Sequence, residues 1–238
     1  MENIDKLSHE VKAYLNQRGV FNDLVKRELQ FNILNKVNIS NEEINNQFLA
    51  FRKENELEND EKFDLWLKTN SFTIESFKQA LSQPLCLKEY CKNNFYHKVE
   101  STYLSKKESY DLYVYSLLRT SDALKAREFY LQIQDKEVEF GELSAKYSEG
   151  DEKITRGIVG PNPIVKCHPI LRDALKASQV GELNPPLKIE NLTIISRLET
   201  RMESKLDEKL TFQIAQELYN EWITNESMEI SKKYLSKN

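Results

Sequence analysis

The sequence predicts an α+β protein in two parts, a helical region and a smaller mixed module. Glycine and proline mark the division: only Gly19 and Pro84 precede residue 141, the other ten fall between Gly141 and Pro186, and neither recurs afterwards. Glycine admits positive φ and proline stops helices, so this reads as helices, then a turn-rich module, then a helix. Apolar residues at helical spacing flank the turn-rich stretch, and β-favouring runs lie at Leu112–Leu118 and Leu187–Leu198.

The elements follow in order. Phe21, Leu24, Val25, Leu29, Ile33 and Leu34 make one amphipathic helical face. Ser40-Asn41-Glu42-Glu43 has capping-box form and starts a helix carrying Ile44, Phe48 and Phe51. Phe63 to Leu67 reads as a short helix, and Thr73 caps another bearing Ile74, Phe77 and Leu81. At Pro84 a new, long helix is expected to start, running through Tyr90 to Tyr103, with a hinge at Ser105–Ser109. Then come a strand at Leu112–Leu118, a helix from about Ser121 to Gln134 and a short one at Phe140–Tyr147. After the Gly/Pro loop, with a further edge strand around Ile158 and Val159, Pro169 opens a helix through Ala177. A hairpin (Leu187–Ile189 with Thr193–Leu198) precedes a C-terminal helix bearing Leu206, Leu210, Ile214, Leu218, Trp222 and Ile223.

Bulk properties exclude several function classes. A net charge of −4 offers no basic footprint for nucleic acid. No apolar run approaches the roughly 20 residues that span a bilayer, so membrane insertion is not expected. The opening MENIDKLSHEVKAYL has no apolar signal core, which makes a cytoplasmic location the expectation if the natural start is present. Three cysteines without a disulfide spacing fit reduced thiols.

Within residues 111–199 five words stand in order. They are Phe140-Gly141-Glu142-Leu143-Ser144-Ala145-Lys146-Tyr147-Ser148, Arg156-Gly157-Ile158-Val159-Gly160, Pro169-Ile170-Leu171, Val180-Gly181-Glu182-Leu183-Asn184-Pro185-Pro186 and Ile194-Ile195-Ser196-Arg197-Leu198-Glu199. They resemble the parvulin family's F-x-x-L-A-x-x-Y-S, G-G-D-L-G, P-x-F, G-E-x-S-x-P and final strand. The resemblance implies a β-α-α-α-β-β module with a groove for proline-containing peptide, and the Gly/Pro loop as its rim. Rotation about an X–Pro bond faces about 18–20 kcal/mol of amide resonance. Such an isomerase forms no covalent bond; it seats the proline ring and favours the twisted amide.

The chain departs from the family's two histidines and Cys or Asp. Ser116, or Tyr115 with a shift of one, stands at the first histidine and Thr193 at the second. Gly150 takes the Cys/Asp position, with Glu149 and Asp151 as near substitutes. Cys167 replaces a usual Met and Leu171 a usual Phe. The site implied is therefore Ser116 and Thr193 as catalytic hydroxyls beside a substrate pocket of Tyr115, Gly150, Cys167, His168 and Leu171, with isomerase activity weak or lost. No cofactor is implied.

Other readings are plainer. Cys167-His168 are sequence neighbours that point apart, so they read as pocket lining and a loop histidine rather than a nucleophile pair. Cys86, Cys91 and His97 lack a fourth ligand and read as helix residues, not a metal site. Tyr113 and Tyr115 share one strand face and read as packing. Trp66 and Trp222 read as core between the N-terminal helices and the last helix.

The whole chain is similar to SurA/PrsA-type foldases, also through Ser40-Asn41-Glu42-Glu43-Ile44, like their S-x-E-E-I. That resemblance implies a chaperone-like helical domain at 1–108, the parvulin-like module at 111–199, and a helix at 200–238 packing on the first. Expected partners are unfolded or proline-containing clients. A link to a peptide export system also follows, since some signal-less parvulin-like chains accompany such systems. The alternative is a non-catalytic adaptor for one dedicated partner.

Overall fold

The computed structural model describes residues 1–236. The chain divides into two compact units, one made of residues 1–102 with the chain from 206 onward, the other of Tyr103–Lys205.

The first unit is helical: α1 (Glu2–Asp5), α2 (His9–Gln17), α3 (Phe21–Leu34), α4 (Asn41–Glu54), α5 (Asp60–Thr69), α6 (Ile74–Ser105) and α10 (Glu208–Ser236). The expected capping box forms, with Ser40 Oγ accepting from the Glu43 N–H and Glu43 reaching back to the Ser40 N–H. Thr73 Oγ1 likewise accepts from the Ser76 N–H. Phe21 and Val25 of α3 bury against Ile4, with Ile230 and Tyr234 of α10 packed around them. Lys26 Nζ donates to Thr224 Oγ1 at 2.9 Å across the same pair of helices. A second cluster, Phe63, Leu67 and Phe77, gathers Phe48, Phe51 and Trp66 about it.

Three details correct the sequence reading. α6 does not stop and restart at Pro84 but runs through it. A proline costs a helix one N–H and a clash, and the turns on either side are held by buried Phe77, Cys86 and Cys91. Two short helices, α1 and α2, precede the first expected one; Ser8 caps α2 through the Val11 N–H. Trp222 packs as read, between the last helix and Tyr90 and Phe95 of α6, but Trp66 packs instead with Phe51, Phe63, Phe72 and Phe77, away from the last helix. They serve separate clusters. Among the described residues no helix is long and apolar enough to cross a membrane.

The second unit holds a four-stranded antiparallel sheet in the order β2-β1-β4-β3. Its elements are β1 (Leu112–Thr120), α7 (Ala123–Gln134), α8 (Phe140–Tyr147), β2 (Ile158–Pro163), α9 (Pro169–Ala177), β3 (Leu183–Ile189) and β4 (Leu192–Met202). The fold class is thus α+β as expected, with the additional edge strand present as β2. α7 starts at Ala123 because Asp122, not Ser121, caps it by accepting from Leu124 and Lys125. β3 begins earlier than expected, at Leu183, and absorbs Pro185 and Pro186 in a register shift between Asn184 and Leu187. Edge strands tolerate such residues because half their N–H groups have no ladder partner to lose.

The stretch Ser105–Ser109, read as a hinge, lies just beyond the division between the two units. A short 3-10 helix, Lys107–Ser109, leads to Asp111, whose carboxylate accepts from Lys107 Nζ at 2.9 Å and from the Ser204 N–H at 2.8 Å.

Strand alternation gives the sheet two apolar faces. Leu118 of β1 and Ile195 of β4 bury against Phe129 and Ile133 of α7 and Phe140 and Leu143 of α8. Tyr113, Tyr115, Leu117, Ile194 and Leu198 bury on the other face, with Leu171 and Leu175 of α9.

Candidate functional site

The second face is only partly covered, and its open part is a cleft of about 680 Å³. The sequence builds it from three directions. β1 presents Tyr115, Leu117 and Arg119 at steps of two, following a register shift between Val114 and Tyr115. Ile194 comes from β4 beside them, Arg119 pairing with Ile194 across the ladder. Opposite stands α9, whose first residue is Pro169 and whose Leu171 is 4% exposed. The Gly/Pro loop forms the remaining wall with Ile158, Val159 and Gly160. Gly160 has φ +114°, and a Cβ there would overlap the Tyr113 carbonyl oxygen, so only glycine lets β2 come this close to β1.

One charged pair is built into the cleft. Arg119 Nε donates to Glu152 Oε1 at 2.9 Å, and Nη2 to Oε2 at 2.5 Å. The Glu152 side chain is 2% exposed and also accepts from the Ser148 hydroxyl. Burial alone would raise this carboxyl, but the donors Arg119 and Ser148 outweigh it and hold it below the ordinary glutamate value. The backbone fixes the same residues a second time: the Arg119 N–H donates to Ser148 Oγ, and the Arg119 carbonyl accepts from the Glu149 N–H.

The structure brings together some of the residues the sequence singled out. Tyr115 is buried, and its hydroxyl accepts from the Cys167 thiol at 3.3 Å. Burial first, and then this thiol, push the Tyr115 phenol well above its ordinary range. Leu171 lies in the cleft wall as expected. His168 stands exposed at the mouth and caps α9, its Nδ1 accepting from the Ile170 N–H.

Gly150 contributes an absence rather than a contact. A Cβ there would overlap both Arg119 Nη2 and Glu152 Oε2, so the ion pair occupies the space where a side chain at this position would stand.

Ser116 and Thr193 do not line the cleft. Both occupy the opposite sheet face, since alternation sends Ser116 away from Tyr115 and Leu117, and Thr193 away from Ile194. Ser116 Oγ donates to Glu199 Oε1, which also accepts from Arg197 Nε at 2.8 Å. Thr193 sits between Thr120 of β1 and Lys188 of β3. Of the alternatives at the opening strand, Tyr115 is the residue that reaches the cleft.

Sequence reasoning missed Leu117, Arg119 and Glu152. The signal for the first two was present: once Tyr115 faces inward, positions two and four residues on must follow. Glu152 gave no such sign, because a carboxylate in a charged loop is ordinarily solvated.

Chemically, the arrangement is a cleft with an apolar floor of Tyr115, Leu117, Leu171 and Ile194, a mutually neutralised ion pair in its wall, and Asp151, Lys166 and Glu190 also in its lining. It suits an apolar side chain or ring entering from solvent. Among the described residues no group of three or more His, Cys, Asp or Glu side chains is placed to hold a metal ion.

The fold and cleft define a two-unit α+β chain with an open cleft on its mixed unit. No protein-family model matches the chain, and no curated protein matches it. Solved structures do. The chain is similar to a peptidylprolyl isomerase, PrsA, from Bacillus anthracis at 17% identity, covering 90% of this chain and 96% of that one with a TM-score of 0.45. It is similar to the foldase protein PrsA from Streptococcus pneumoniae at 13% identity, with 96% and 91% covered and a TM-score of 0.46. A structure from the SurA-like chaperones of Campylobacter jejuni matches at 16% identity, with 84% and 94% covered and a TM-score of 0.39.

Proposed function

We propose that the protein is a foldase that binds extended segments of unfolded protein, seating an apolar residue or proline ring in the cleft, with prolyl isomerisation slow or absent. The observation that carries this is the cleft itself: Tyr115, Leu117, Leu171 and Ile194 face an open space of about 680 Å³. Ile158, in the cleft lining and 44% exposed, continues the apolar surface outward. The five parvulin-like words point to the same reading. Slow catalysis follows from the placement of Ser116 and Thr193 outside the cleft and from the engagement of Arg119 with Glu152. Shape and desolvation are then the main means of favouring a twisted amide.

The test uses the full chain. Fluorescence anisotropy of a labelled, reduced and carboxymethylated lactalbumin should show saturable binding. Exchange NMR on blocked X–Pro tetrapeptides should show little or no acceleration. Absence of binding to both probes would refute the reading.

A further inference from the structure

Arg119 is a cation in the cleft wall, held through two of its nitrogens by one carboxylate. Nε and Nη2 are both spent on Glu152, while Nη1 has no hydrogen bond or ion pair among the described residues. The guanidinium is planar, so engaging two of its nitrogens fixes the direction of the third. The Arg119 side chain is 34% exposed and lines the cleft, whereas that of Glu152 is 2% exposed. One side of the fork is thus held by a buried carboxylate, and Nη1 is the nitrogen left on a side chain that is partly exposed and lines the cleft. Gly150, where any side chain would displace the pair, keeps that geometry open.

The charge around it decides what Nη1 would bind. Glu152, Asp151 and Glu190 line the cleft against Arg119 and Lys166. Positive charge does not accumulate, so an anionic side chain gains little, and a neutral oxygen is the better match. In a peptide that oxygen is a backbone carbonyl. Carbonyls within a folded client's helices and sheets are already paired, and those of an extended segment are free.

We propose that Arg119 is a peptide-binding residue whose Nη1 donates to an unpaired backbone carbonyl beside the apolar residue in the cleft. The site then reads two features together, an apolar side chain and a free carbonyl, and so selects extended over folded segments. This rests on the peptide-binding reading above.

The probe is the peptide Ala-Leu-Pro-Phe, blocked at both ends, with each carbonyl in turn replaced by a thiocarbonyl, a planar but larger and poorer acceptor. Wild type should bind one thioamide about three- to tenfold more weakly than the parent, less than the full worth of a hydrogen bond to a charged donor because the acceptor is weakened and not removed. In Arg119→Met/Glu152→Met, which removes both charges together, that discrimination should vanish. Arg119→Lys, which keeps the charge and loses the fork, should also lose it and stands in if the double variant does not fold. Equal binding of all the thioamides by wild type would overturn the role of Arg119 and leave peptide binding intact. No binding of the parent peptide by wild type would overturn the peptide reading and this inference with it.

Discussion

Gly150 and Arg119 are fitted to one another: a single carbon added to the glycine would overlap the arginine's Nη2. Gly150 has φ −112°, where any residue is comfortable, so the requirement is for space and not for backbone freedom. Gly150→Ala should therefore destabilise the protein by about 1–3 kcal/mol as an overpacking substitution. Denaturant unfolding measures it, and it should also weaken peptide binding, since Arg119 must move.

The pair also sets an acid limit. Glu152 titrates below its ordinary 4.5 in the folded protein, so the stability it confers is complete above that value and is lost as pH falls through the depressed one. Asp111 is likewise lowered from 3.8: burial works against the shift, and the Ser204 and Lys107 donors outweigh it. Thermal melts between pH 7 and pH 3 should show stability falling on the acid side. Glu152→Gln should be less stable than wild type at neutral pH and should approach it as pH drops.

Placement on the far sheet face predicts that Ser116→Ala and Thr193→Ala leave peptide affinity within about twofold of wild type. Ser116→Ala removes one buried hydrogen bond and should cost about 1 kcal/mol of stability. Leu171→Ala should lose peptide binding and destabilise by about 2–5 kcal/mol, being a large buried side chain. Parallel titrations and melts on these variants separate the two faces.

Pro84 lies exposed inside α6, where it denies the Ala80 carbonyl its i+4 donor. Pro84→Ala should stabilise the protein by about 2 kcal/mol, the helix gain of about 3 being offset in part by a more flexible unfolded chain. Chemical denaturation reads this directly.

Much of the fold was legible because its signals are local. Phe140–Tyr147 and Pro169–Ala177 form at the bounds read from the sequence, each set by adjacent turn chemistry, and the Ser40–Glu43 box closes as its spacing requires. Pro84 misled because propensity is local, whereas the packing of Phe77, Cys86 and Cys91 is not. The site was legible in part for a related reason. Cys167 and Leu171 stand beside the recognisable turn at Pro169, and Tyr115 was offered at the opening strand by the resemblance. Assigning Ser116 and Thr193 to the cleft required the strand register, and a slip of one residue exchanges the faces. The Arg119–Glu152 pair joins residues 33 apart and is created by the fold, so no local spacing announced it.

The central claim is that the cleft binds extended peptide. The direct measurement is anisotropy of fluorescein-labelled, blocked Ala-Leu-Pro-Phe titrated with the full wild-type chain and with Cys167→Trp, which would fill the cleft beside Tyr115. Saturable binding by wild type that Cys167→Trp weakens tenfold or more is the predicted result; binding that is equal in the two proteins, or absent from wild type, would contradict the account.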